Sequence, residues 1–453
     1  MVKGNTVHSQ KRETVQTKLN QISEIAGKDK KCRFNNLMHL LNKENLKECF
    51  HNLRRNSSAG IDGMSWSEYE DKLDANLDNL VTRMREWSYR PQPVRRVYIP
   101  KGNGKQRSLG IPSIEDKIVQ KAISRILSAI YENDCKDFSY GFRPGKNCHD
   151  ALERLDYLIK WNPVNYVIDA DIKGFFDNMN HAWLIRMLEE RINDRHLLRL
   201  TKRFLKGGYL EEGKRYKTEQ GTPQGGIVSP VLANVYLHYV LDLWFEKVVK
   251  KHSNGFAAIV RYADDYIICV RYVADAEAIL THLKERLRKF NLELAEDKTK
   301  LVRFGKFAKE IARKQGKKAG TFDFLGFTHF NDTDRKGVFK VGRKTVRKRY
   351  VTKLKEMYVW LKSVRTIKPK DWWQVLCAKL RGHFQYYGVS GNYRSINRFY
   401  ESTIRYLYKW LNRRSQKKSF NWDGFLIYLN RFALPKPRIY HNLHVNRSYR
   451  GEC

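Results

Sequence analysis

Two periods of apolar spacing run through this chain, and the switch between them marks out its elements. From Leu37 to Arg55, Trp66 to Trp87, Ser113 to Tyr131, Trp183 to Leu205, Val231 to Trp244 and Ala274 to Phe290 the apolar residues recur at helical spacing. Shorter runs with strand character lie between them. Val94 to Ile99 and Arg107 to Pro112 flank a glycine-containing tip, residues 101 to 105, and predict a β-hairpin. Asn165 to Asp171 (NYVIDAD) reads as a buried strand that ends on a carboxylate, and Gly208 to Glu219 as a second hairpin. Ile259 to Val270 (IVRYADDYIICV) places two apolar runs around Asp264 and Asp265, so a third hairpin would carry two like charges at its tip. Phe322 to Phe330 (FDFLGFTHF) alternates around Gly326 and predicts one strand with a bend. Beyond about residue 335 the pattern becomes basic and helical, giving three amphipathic helices with a break near Gly388 to Gly391.

Composition adds a partner class. The 453 residues are 42% hydrophobic and 13% aromatic, enough to bury real cores in two or three units. Lys and Arg number 87 against 48 Asp and Glu, a net charge of +39, and a surface this basic attracts nucleic acid without needing any sequence preference. A membrane is the weaker expectation, because no long apolar span accompanies the charge. Seven scattered cysteines contain no CxxC pair, which argues against a disulfide framework or a cysteine zinc site. The polar N-terminus, residues 1 to about 30, lacks the apolar core of a secretory signal and reads as a frayed arm or solvated helix.

Three carboxylates stand out in strand contexts: Asp171 at one strand end, and Asp264 and Asp265 at a hairpin tip. Gathered together they suit Mg²⁺, which prefers hard oxygen ligands. For the hairpin alone, a plain turn is an equal reading, since Asp is a common turn former. Asp169 shares a strand face with Asp171, and period two does not choose between them. Lys101, Lys105 and Arg107 crowd one hairpin, where a solvated edge is the favoured reading and a triphosphate clamp the sharper one. Gly221 to Pro230 contains three glycines and two prolines, a bent backbone open to close approach by a flat base pair. No Ser–His–Asp set, HExxH helix, P-loop or dinucleotide GxGxxG is present.

Taken in order, RSLGIP, YGFRPGKNCHDAL, DIKGFFDNMNH, QGTPQGGIVSPVLANVYL, YADD, LELAEDKTK, FLGF and RGHFQYYG resemble the reverse transcriptases encoded by group II introns, the maturase family. The likeness runs from about AGIDG at residue 59 to PKPRIYH at residue 441. It implies an α+β right-hand polymerase, with fingers and palm built on an antiparallel sheet, followed by an all-α thumb or maturase domain X. The corresponding units are residues 1–58 (extension and start of the fingers), 59–335 (fingers and palm), 340–415 (helical thumb) and 416–453 (short basic tail).

The resemblance also assigns roles. Asp171, Asp264 and Asp265, with the carbonyl of Ile172, would hold two Mg²⁺ ions, Mn²⁺ being a substitute. Lys298 would protonate the departing pyrophosphate. Lys101 and Arg107 would grip the triphosphate, Gln224 would lie beside the nucleotide's sugar and base, and Phe176 would clash with a ribose 2′-hydroxyl. Leu325 and Gly326 look like the bend that grips the primer. Ser108 departs from the proline frequent in the family, without expected consequence on a hairpin. The expected partners are intron RNA as template, a DNA primer or target and dNTPs, with no membrane and no predicted oligomer. The expected setting is a cytoplasmic ribonucleoprotein, associated with the nucleoid during mobility. With only a short tail after residue 441 and no cysteine-paired endonuclease module, mobility by self-made second-strand cleavage is not expected. Two rival readings are a non-catalytic RNA-binding splicing factor and a free-standing reverse transcriptase recruited to defence or repair.

Overall fold

A computed structural model describes residues 14–100, 106–222, 224–414 and 419–443 as a mixed α+β chain. Its strands in chain order are β1 (Val94–Pro100), β2 (Gln106–Ile111), β3 (Tyr166–Asp171), β4 (Tyr209–Glu211), β5 (Lys214–Tyr216) and β6 (Ala257–Tyr262). They continue with β7 (Asp265–Val270), β8 (Lys300–Arg303), β9 (Thr321–Phe324), β10 (Phe327–Thr333) and β11 (Phe339–Thr345). Three sheets result, ordered β2-β1-β4-β5, β6-β7-β3-β8 and β11-β10-β9.

In the β6-β7-β3-β8 sheet the inner strands β7 and β3 are buried on both faces over most of their length, and their side chains sort by period two. Ile168, Ala170, Tyr266, Ile268 and Val270 belong to one core, together with the helices Ile114–Tyr131, Ser229–Leu237 and Val273–Lys289. Val167, Val260, Ile267 and Cys269 belong to a second core, which they share with the helix Cys148–Trp161, the β9–β11 sheet and the C-terminal helices. Continuous apolar strands are what burial on both faces demands. The exception is the row Asp169, Asp171 and Asp265, which lies on the second-core face where that core gives out.

Local sequence explains the element ends. The Ser113 side chain accepts the Asp116 amide at 3.3 Å and starts the helix Ile114–Tyr131 as an N-cap. Asn147 and Asp150 form a reciprocal capping box at the start of Cys148–Trp161. Arg343 on β11 and Asp156 on that helix make a buried ion pair that ties the third sheet to it. Removing one partner of such a pair costs roughly 3–5 kcal/mol.

Three expectations are corrected. The FDFLGFTHF segment is not one bent strand but a tight hairpin, β9–β10, turned at Leu325 (φ 47°) and Gly326 (φ 86°). Residues 340–345, assigned by composition to the helical unit, form β11 against β10, so the helical run starts at Arg347. The N-terminal stretch, expected as a frayed arm or a solvated helix, is helical over residues 15–28 but not wholly solvated, since Leu19 and Ala26 are buried. The helices Arg347–Ser363, Pro369–Tyr387 and Tyr393–Leu411 follow, separated after Tyr387 by the glycine-containing break. Among the described residues no helix is long and apolar enough to cross a membrane.

Candidate active site

Strand register brings the predicted carboxylates together. Asp171, the last residue of β3, lies directly across from Asp265, the first of β7, and Tyr262 faces Asp265 from β6. A two-residue turn, Ala263-Asp264, joins β6 to β7, so Asp264 stands at the tip beside this pair. Asp169 sits one pleat behind Asp171, opposite Ile267 on one side and Lys300 on the other.

That turn is held in an unfavourable backbone. Ala263 has φ 57°, in the left-handed region that L-residues seldom adopt. From beneath, Gly141 of the YGFRPG loop touches it: a Cβ there would lie 2.3 Å from the Ala263 nitrogen. From the side, Arg261 Nη1 donates to the Ala263 carbonyl at 3.0 Å. Arg261 is fully buried and paired with equally buried Asp242, Nε to Oδ1 at 2.7 Å and Nη2 to Oδ2 at 2.5 Å.

The electrostatics ask for a cation. Burial, followed by the charges of Asp169, Asp264 and Asp171, pushes the Asp265 carboxyl up to about 7. Burial also raises Asp264, with Asp171 adding to the effect, and takes Asp169 to about 6. The ammonium of Lys298 already rests on the Asp171 carboxylate, and that contact raises the lysine's own pKa. The backbone arranges it: Ala295 donates to the Asp171 carbonyl at 2.8 Å, and the Lys298 and Thr299 amides return to Ala295, folding the AEDK turn over the end of β3. Among the described residues no three such ligands converge closely enough to hold an ion as they stand. In donor chemistry the set nevertheless fits a hard divalent ion, because mutually repelling carboxylates with one cation among them are what such an ion stabilises.

Beside the carboxylates the chain builds a second group. Phe176 packs edge-to-face on buried Phe175 with ring centroids 5.3 Å apart. The QGTPQGG loop lies along the same segment: Thr222 donates to the Phe176 carbonyl at 2.8 Å and Gly221 to the Met179 carbonyl at 2.7 Å. Gly221 has φ 81°, and a Cβ there would strike the Asp177 carbonyl at 2.6 Å. Gln224 joins the two predicted nucleotide elements, accepting from Arg107 Nε at 2.6 Å and donating to Asp177 Oδ1 at 3.4 Å. Lys101 falls outside the described residues. Leu325 and Gly326 form the β9–β10 turn, where the Tyr386 hydroxyl donates to the Leu325 carbonyl at 2.9 Å and Arg349 lies against Gly326.

Arg261, Asp242, Asn234 and Arg349 were not singled out in the sequence, and Tyr386 reads there as ordinary helix core. Arg261 and Asp242 had a signal, each being a lone charge inside an apolar run (AAIVRYA and YVLDLWF).

With this geometry in place, comparison with known proteins gives the class. Residues 99–329 match the family model described as reverse transcriptase (RNA-dependent DNA polymerase). The chain is 30% identical to group II intron-encoded protein LtrA of Lactococcus lactis subsp. cremoris, across 77% of this chain and 69% of that protein. It is 32% identical to protein YkfC of Escherichia coli K12, across 53% and 71%. It is 29% identical to nuclear intron maturase 3, mitochondrial, of Arabidopsis thaliana, across 40% and 27%. The chain belongs to the family of group II intron-encoded reverse transcriptases and maturases. It is an RNA-directed DNA polymerase.

Proposed function

We propose that this polymerase transfers nucleotides from dNTPs to a DNA primer 3′-hydroxyl along an intron RNA template, using Asp171, Asp264 and Asp265. The observation that carries the reading is the register of Asp171 opposite Asp265, with Asp264 on the adjoining turn. These carboxylates and the Ile172 carbonyl would hold the divalent ions on which reverse transcriptases depend. Two such ions, when bound, neutralise charge at the attacking 3′-oxygen and at the leaving pyrophosphate.

The remaining roles belong to the chain's own side chains. Arg107, with Lys101, binds the triphosphate, its guanidinium oriented by the bond from Nε to Gln224. Phe176 walls off the space a ribose 2′-hydroxyl would occupy. Lys298, an ammonium beside Asp171, holds a proton for the pyrophosphate oxygen. Leu325 and Gly326 grip the primer. On this reading the β2-β1-β4-β5 sheet belongs to the fingers, the β6-β7-β3-β8 sheet to the palm and the helices from Arg347 to Leu411 to the thumb. The net charge of +39 supports an RNA–DNA duplex and folded intron RNA as the bound species.

Primer extension on a defined RNA template tests this. Wild-type protein with Mg²⁺ is expected to extend a DNA primer, and Asp265→Ala to lose at least about 10²-fold in rate. Undiminished extension by Asp265→Ala would refute the assignment.

A further inference from the structure

The turn bearing Asp264 is held by a polar network whose charged members, Arg261 and Asp242, are fully buried. Arg261, on β6, spends four of its five N–H donors in set directions. Nε and Nη2 take the two oxygens of Asp242, while Nη1 is shared between Asn234 Oδ1 at 3.2 Å and the Ala263 carbonyl at 3.0 Å. Asn234 in turn donates from Nδ2 to the Gly141 carbonyl at 2.8 Å, and Gly141 is the residue packed against Ala263. The loop before Gly141 is stitched to the same strand, Arg261 donating its amide to Phe138 and Tyr140 donating to Arg261, both at 2.8 Å. Asp242 closes a wide helical turn, His238–Asp242, whose i to i+5 winding interrupts the helix from Ser229.

A bare apolar contact would have kept this strand packed. A buried Arg–Asp pair is weak evidence for stability, because desolvation opposes its attraction. What the network does specify is direction. It fixes the Ala263 carbonyl, and with it a left-handed residue immediately before Asp264.

We propose that Arg261 is a positioning residue for nucleotidyl transfer: anchored by Asp242 and Asn234, its guanidinium fixes the Ala263-Asp264 turn and so aims Asp264 and Asp265. This rests on the reading that those two carboxylates carry the chemistry. Lysine does not substitute, since an ammonium has three donors on one nitrogen and no planar fork to reach the four acceptor atoms of Asp242, Asn234 and Ala263.

The test uses Arg261→Lys and Asn234→Ala in the full chain, on an oligo(rA) template with an oligo(dT) primer. The readouts are kcat, KM for dTTP, the Mg²⁺ concentration at half activity, primer–template affinity and melting temperature. Misaligned catalytic groups predict a fall in kcat of about 10²-fold for Arg261→Lys and about tenfold for Asn234→Ala. The Mg²⁺ midpoint should rise several-fold in both, with KM for dTTP and primer–template affinity within about threefold of wild type. The proposal is overturned if the folded variants keep kcat and the Mg²⁺ midpoint within about twofold. It is equally overturned if activity falls only with the folded fraction while the midpoint stays put. Should Arg261→Lys not fold, Asn234→Ala decides, because it leaves the buried ion pair intact. Failure of the underlying reading would look different: Asp264→Ala would then extend at the wild-type rate.

Discussion

Asp265 is where burial and like charge meet most severely, and its ionisation should be visible from outside the molecule. Its carboxyl is raised to about 7 in the folded protein, against 3.8 for a free aspartate side chain. Between those values the folded state binds more protons than the unfolded one, so stability falls as pH rises from about 4 to about 7. Without divalent ions, the melting temperature is expected to drop across this window by at least about 2 °C, and Asp265→Asn should flatten the slope. A pH-independent melting temperature in the wild type would contradict the electrostatic account. Phe176 offers a second test at this scale. If its ring is the proposed wall, Phe176→Ala should raise the efficiency of ribonucleotide relative to deoxyribonucleotide incorporation by about 10²-fold, measured as a ratio of kcat/KM values. An unchanged ratio would move the gate elsewhere.

At the scale of elements, the site depends on turns held from outside themselves. Gly221 lets one loop lie on the backbone of Phe176 and Asp177, and Gly141 lets another lie under Ala263. The β9–β10 turn is tied to the helix Pro369–Tyr387 by the Tyr386 hydroxyl. Tyr386→Phe removes that one hydrogen bond, an effect of about 1 kcal/mol. If Leu325 and Gly326 grip the primer, KM for primer–template should rise about fivefold with kcat nearly unchanged. No change in KM would separate this turn from primer binding. Elements of this kind were unevenly legible. The IVRYADDYIICV hairpin was readable because strand-length apolar runs flank a polar pair. The FDFLGF hairpin was not, because its turn needs Leu325 at φ 47°, a conformation that nothing about leucine announces. The strand β11 was hidden by its basic composition, since Lys340, Arg343 and Lys344 read as part of a helical, RNA-facing unit.

Across the whole molecule, Asp171, Asp264 and Asp265 stand out together from their strand contexts, and the order of motifs over some 380 residues, from AGIDG to PKPRIYH, adds the choice of Asp171 over Asp169. Single residues did not choose between Asp169 and Asp171. Register places both on one face, Asp171 at the strand end opposite Asp265 and Asp169 one pleat back among partly buried groups. Long-range pairings such as Arg261 with Asp242 or Arg343 with Asp156 were out of reach, because sequence shows the charges without saying which meet. The basic surface, by contrast, follows from composition and should bind RNA whether or not the carboxylates work. That independence defines the most direct measurement: single-turnover extension of a DNA primer on an RNA template by Asp264→Asn, with RNA affinity measured on the same preparation. The account predicts a rate loss of more than about 10²-fold with affinity retained. Extension at the wild-type rate, or a loss explained entirely by weaker RNA binding, would contradict it.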